Sequence, residues 1–239
     1  MKRPFYLIVL LVLLSSCNSE SKPITFETVV AENSYDADVT LIYDKAEGNT
    51  ELSKTINKAI ESAIIMTLNS SENEVDLTTA LDNFNTEFVN FTTNFPEADA
   101  PKWELFIETE RIYQSEDLIT MAITTYEYKG GAHGNDKISF LNLEAQTGTV
   151  LNQNDLIKNL PEFKDLAETY LKPSLSAEDK DLKMEDLFFG EPFQLPENIG
   201  FSEDGLVLLY NVYEIASYNQ GYTEFVIPFE NAQAYLKRF

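Results

Sequence analysis

One cysteine, one histidine and nine glycines in 239 residues leave little room for most enzyme chemistry. With Cys17 as the only cysteine, no internal disulfide can form. With His133 as the only histidine, a zinc centre would have to be built almost wholly from carboxylates. The sequence has no G-x-S-x-G elbow, and no glycine-rich loop ends in Gly-Lys-Ser/Thr, so neither the hydrolase nor the phosphate-loop signature is present. Basic side chains are also scarce, 17 against 40 acidic, for a net charge of −23. That balance argues against nucleic acid and anionic lipid surfaces as partners, and it would accelerate encounter with a cationic one. The reading therefore expects no catalytic residue, no bound metal and no cofactor.

The one long apolar run is at the start. Lys2 and Arg3 precede ten apolar residues at 5–14, the length of a signal h-region and well short of the roughly 20 residues of a membrane-spanning helix. Leu14-Ser15-Ser16-Cys17 closes the run in the manner of a bacterial lipobox. Residues 1–16 are expected to be a cleaved lipoprotein signal, Cys17 the lipidated residue, and residues 17–23 a short tether. Two or more acyl chains, at about 0.8 kcal/mol per buried CH₂, give stable membrane anchoring. Loss of Lys2 and Arg3 with the signal leaves 15 basic and 40 acidic side chains, net −25. The expected location is the bacterial cell envelope, extracytoplasmic and lipid-anchored, either periplasmic or surface-facing.

Beyond the tether, 44% hydrophobic and 12% aromatic residues indicate a folded globule. Residues 24–30 and 38–43 are rich in β-branched side chains and read as an antiparallel pair. Leu52, Ile56, Ala59, Ile60, Ala63 and Ile64 recur at helical spacing behind Thr50, a suitable N-cap; Leu77, Leu81, Phe84, Phe88 and Phe91 do so behind Asp76. Residues 103–113 and 118–128 alternate as a long hairpin, and 138–143 is a further strand. Phe163, Leu166, Ala167, Tyr170 and Leu171 mark a helix opened by Pro161 and stopped by Pro173. Residues 199–202 and 206–211 flank Glu203-Asp204-Gly205 as a second hairpin, 223–227 is a strand, and 231–236 a terminal helix. Strands in hairpins packed with amphipathic helices predict an α+β fold with mainly antiparallel sheet.

Two local motifs stand out. Tyr128-Lys129-Gly130-Gly131-Ala132-His133-Gly134 packs three glycines into five residues, permitting positive φ and close backbone approach. The second, Tyr213-Glu214-Ile215-Ala216-Ser217-Tyr218-Asn219-Gln220-Gly221, gathers aromatic and amide side chains at a sharp turn. Such surfaces suit sugar stacking or protein recognition; equally, these tyrosines could pack inside, and His133 could simply be hydrogen-bonded within its turn. Together with Phe140-Leu141-Asn142-Leu143, Thr147-Gly148 and Asp155-Leu156, these segments resemble a family of bacterial extracytoplasmic domains. The family includes those of the anti-sigma factor RsiV and the non-catalytic part of the peptidoglycan deacetylase PdaC. The resemblance implies two α+β lobes, a PdaC-like one over residues 24–150 and an RsiV-like one over residues 151–239. It also implies a binding role, since RsiV's domain binds lysozyme. An anti-sigma or deacetylase role is not expected, because the spanning helix and catalytic domain they need are not visible.

The candidate binding or structural residues are thus Tyr128, Gly130, Gly131, His133, Gly134, Tyr213, Glu214, Tyr218 and Gly221. The expected function is a lipid-anchored, non-enzymatic binding module recognising a cationic, lysozyme-like protein or peptidoglycan. A carboxylate-dependent glycan hydrolase and a structural accessory lipoprotein of an envelope complex stand as alternatives.

Overall fold

The structure, a computed structural model, describes residues 23–31, 34–68, 76–97, 101–178 and 184–237. The leader, Cys17 and all of the expected tether but Pro23 lie outside the described residues. Among those described, no helix is long and apolar enough to cross a membrane.

Strands β1 (Phe26–Val30) and β2 (Asp38–Ala46) pair antiparallel, in agreement with the β-branched pattern. Helices α1 (Glu51–Thr67) and α2 (Leu77–Asn94) follow. Thr50 caps α1 reciprocally with Ser53: each side-chain oxygen accepts from the other's backbone N–H at 3.0 Å. Asp76 caps α2 by accepting from Thr79 N at 2.8 Å. The two helices form a crossover, so β3 (Glu104–Gln114) returns beside β2 in parallel, a pairing that hairpin signals do not reveal. Strands β4 (Leu118–Tyr128), β5 (Asn135–Glu144) and the short β6 (Val150–Leu151) complete a six-stranded sheet in sequential order. Ile56, Ile60 and Ile64 of α1, with Leu81, Phe84 and Phe88 of α2, bury the apolar stripes against Leu41, Leu105, Ile107, Ile119, Met121 and Ile123.

The chain then forms α3 (Gln153–Leu156), α4 (Leu160–Glu178) and a three-stranded antiparallel sheet of β7 (Asn198–Ser202), β8 (Gly205–Tyr210) and β9 (Thr223–Pro228), ending in α5 (Phe229–Ala232). Pro173 does not stop α4, which continues to Glu178; a proline inside a helix removes one donor, and this helix persists without it. The terminal helix read over 231–236 starts two residues earlier, as α5, and tightens into a 3₁₀ turn over Gln233–Tyr235 before Leu236 bridges to Ile157. All six residues of β8 are buried, as its unbroken Leu206-Val207-Leu208-Leu209-Tyr210 run requires of a strand covered on both faces. Among the described residues, six of the seven strand pairings are antiparallel, and the fold is α+β.

The two sheets join along β5. Asn142, 5% exposed, accepts from Thr120 Oγ1 at 2.8 Å and donates to Ile199 O at 2.8 Å. Asn198 Oδ1 accepts from Phe140 N at 3.1 Å. Gly200 lets β7 lie close, since a Cβ there would stand 2.9–3.0 Å from the Phe140 ring and 3.0 Å from the Thr120 methyl. Asn142→Ala would strand a buried hydroxyl and a buried carbonyl. The expected loss is about 2 kcal/mol, read as a lowered urea midpoint with unchanged slope.

Candidate functional site

The two motifs read from the sequence meet in space. The first begins at the end of β4, where Lys129 is fixed by ion pairs to Glu87 (3.0 Å) and Glu127 (3.1 Å) and lies over the Phe84 and Trp103 rings at 5.3 and 5.5 Å. Partial burial alone would lower its pKa; the hydrogen bonds to Glu87 and Glu127 outweigh that and raise it. This locks the turn to α2. Gly130 (φ +84°) and Gly131 (φ +127°) then reverse the chain, and Tyr128 Oη donates to Gly131 O at 3.1 Å. Gly134 lets the Tyr126 ring lie against the backbone: a Cβ would sit 2.2–2.6 Å from the outer atoms of that ring, which would have to move aside. His133 Nδ1 lies 2.8 Å from Gly134 O, and since a carbonyl only accepts, Nδ1 carries the proton of that bond.

The second motif follows β8. Asn211 holds it to β5 by a pair of hydrogen bonds to Ile138, Oδ1 accepting from its N and Nδ2 donating to its O, both at 2.8 Å. Tyr213 has φ +67° and is 55% exposed. Glu214 turns inward, its two carboxylate oxygens accepting from Glu197 N (2.9 Å) and Asn211 N (2.8 Å). Burial raises its pKa against the lowering effect of those bonds. Glu214 is therefore a brace for the loop. A 3₁₀ turn over Tyr218–Gln220 ends at Gly221 (φ +68°), whose N–H donates to Tyr218 O at 3.0 Å.

The His133 ring stacks on Tyr218 with centroids 4.2 Å apart and planes at 22°, and Tyr213 lies 5.6 Å from Tyr218 on the same side-chain row. Carboxylates lie near two tyrosines beside the row, and Lys137 lies near Glu214. Burial first, then the Glu104 and Asp136 carboxylates, raise the pKa of the Tyr126 hydroxyl, and burial with Asp136 pushes Tyr222 up to about 12. Of the residues read from the sequence, His133, Tyr213 and Tyr218 form the accessible aromatic row, while Tyr128, Gly130, Gly131, Gly134, Glu214 and Gly221 shape the backbone beneath it.

Sequence reading missed Tyr126, Asp136 and Asn211, which flank or hold this row but lie outside the glycine and tyrosine clusters. It also missed Phe188 and Phe189, non-glycine residues at φ +58° and +53° in a loop tied to the second motif by Phe188 N donating to Ile215 O at 2.7 Å. Phe189 is 68% exposed. Three non-glycine residues in the left-handed region on two linked loops indicate backbone strain held in place by surrounding structure. The only hint in the sequence is Gly190, directly after two phenylalanines. Among the described residues, no group of three His, Cys, Asp or Glu side chains could hold a metal ion.

Comparisons with known proteins place the chain's parts. Residues 151–230 match the family model described as a protein of unknown function, DUF3298, and residues 30–136 match Deacetylase PdaC. Residues 1–18 match the prokaryotic membrane lipoprotein lipid attachment site, a segment that contains Cys17. No curated protein matches the chain. Among solved structures, a DUF3298 family member from Bacteroides fragilis is similar, with 20% identity, TM-score 0.71, and 89% of this chain and 93% of that one covered. A DUF3298 family protein from Pseudomonas aeruginosa is similar too, at 20% identity, TM-score 0.65, and coverage of 90% and 95%. At that identity the likeness is one of fold.

Proposed function

We propose that this RsiV/PdaC-like chain, a lipid-anchored extracytoplasmic module, is a non-enzymatic receptor for a cationic protein of the lysozyme kind. In this reading Cys17 carries the lipid, and residues 24–150 and 151–239 act as two lobes contributing one motif each to a shared surface. The carrying observation is the aromatic row His133–Tyr218–Tyr213, built from two chain segments about 80 residues apart, with Asp136 near the adjoining Tyr126 and Tyr222. Aromatic side chains supply contact area at low entropic cost, and carboxylates at the margin select a positive partner. Attraction to a partner by a processed chain with 15 basic and 40 acidic side chains, net −25, falls off over the screening length. Glu214 accepts from two backbone amides and so braces the loop that carries Tyr213 and Tyr218.

The test is surface-based kinetics against a lysozyme. The association rate should fall steeply as the screening length shortens from about 30 Å at 0.01 M salt to about 8 Å at 0.15 M. Tyr218→Ala should weaken binding by about tenfold or more, as for a central interface aromatic. Salt-independent association, or full affinity in Tyr218→Ala, would refute the proposal. Retention on peptidoglycan with no lysozyme binding would replace the protein partner with a wall glycan.

A further inference from the structure

We propose that a cleft at the opposite end of the large sheet is a second binding site, for a short zwitterionic peptide, with Arg111 as the anchor for its carboxylate. The cleft has a volume of about 750 Å³ and is bounded by the end of β3, the β3–β4 turn, the start of α1 and the tip of the β7–β8 hairpin. Small-molecule sites span about 300–1,000 Å³ and combine apolar walls with a few placed polar groups. Arg111 lies seven strand positions from the Tyr128 end of β4, where the glycine turn begins. At strand rise that is about 23 Å. The cleft and the aromatic row are thus separate, and this proposal does not rest on the previous one.

Four observations converge on Arg111. It is one of three arginines in a chain with 40 acidic residues, yet among the described residues its guanidinium has no ion pair. The exposed guanidinium bonds a neutral amide, Gln114 Oε1 accepting from Nη1 at 2.6 Å while Gln114 Nε2 donates to Ile24 O at 3.1 Å; the one acidic contact of the residue is through its backbone, whose N–H donates to Asp44 Oδ2 at 3.2 Å. The amide thus fixes the guanidinium to the wall of the cleft without neutralising it. The Phe26 ring supports it from 5.6 Å. Finally, β3 bulges here: Arg111 faces Met121 and Tyr113 faces Thr120, leaving Ile112 as an extra residue. Bulges re-aim side chains and recur beside binding sites.

A fixed, unneutralised arginine selects a carboxylate, to which its fork can bond through two nitrogens. The other charges lining the cleft are Glu116 and Glu203, which disfavour a purely anionic ligand and favour one that also carries an ammonium group. Ile24 and Leu52 add apolar wall to the cleft. A peptide with free ends presents these features together: a terminal carboxylate, an apolar side chain and an amine.

Calorimetric titration of the full chain with the tripeptide Lys-Leu-Ala tests the site. Saturable binding is expected, weakened about tenfold in the C-terminally amidated peptide and in Arg111→Met, with partial recovery in Arg111→Lys. Glu203→Gln, on an exposed turn away from the core, should weaken Lys-Leu-Ala about threefold and leave the N-acetylated peptide unaffected only if its ε-amine is also replaced. His133→Ala should change nothing, which separates this site from the aromatic row. The proposal is overturned if no saturable heat appears up to about 1 mM peptide, or if the amidated peptide and Arg111→Met bind as the unmodified pair does.

Discussion

Gly205→Ala is expected to destabilise the protein by about 3 kcal/mol or more, the upper range for forcing atoms into a packed interior. Gly205 opens β8 at φ +149°, a conformation that L side chains rarely adopt. A Cβ there would stand 2.2 Å from Ile227 O and 2.9 Å from Ile227 C and Pro228 Cα. These are backbone atoms of β9, hydrogen-bonded to β8 in the register Gly205↔Pro228 and Leu206↔Ile227. No side-chain rotation can relieve the contact; only displacement of the ladder would. Equilibrium urea unfolding followed by circular dichroism gives the measurement. A loss below about 1 kcal/mol would mean that the strand pair can open at this end without cost.

Phe201→Ala is expected to cost about 3–5 kcal/mol. The ring is fully buried, stacked with Tyr113 at 5.8 Å and with Phe229 at 6.3 Å. Tyr113 belongs to β3 of the large sheet, while Phe201 and Phe229 belong to the smaller sheet and its terminal helix. Removing the ring leaves a void between the two sheets as well as inside one of them. The large sheet also sends Leu118 into the cluster around Phe201, so the two sheets should lose stability together, seen as one shifted denaturation transition. A loss confined to the smaller sheet would show that this aromatic contact does not join them.

Much of this architecture is legible in the residues because its elements obey local rules. The helical stripes behind Thr50 and Asp76, the alternation across the β3–β4 hairpin and the Glu203-Asp204-Gly205 turn all read correctly. Parallel pairing of β2 with β3 does not, because it depends on where two intervening helices carry the chain. Two-residue β6 and four-residue α3 are too short to leave a periodic signal. Pro173 misleads because a helix with enough apolar burial tolerates one missing donor. The site was half legible: its glycines and tyrosines are conspicuous in two motifs, but their junction is not. Stacking of His133 on Tyr218 depends on Asn211 reaching Ile138 across the fold, and nothing in either motif's spacing encodes that distance. The cleft at Arg111 was not legible at all, since a bulge and an unpaired guanidinium become visible only once neighbours are placed.

The asparagine bonds along β5 have one more consequence. Ile138 and Phe140 sit on the margin of the large sheet that short β6 leaves uncovered, yet their amides are already taken by Asn211 and Asn198. A foreign extended segment seeking to lengthen the sheet there would have to evict two side chains rather than meet free donors. The same contacts that dock the smaller sheet thereby guard the molecule against intermolecular strand addition on that flank.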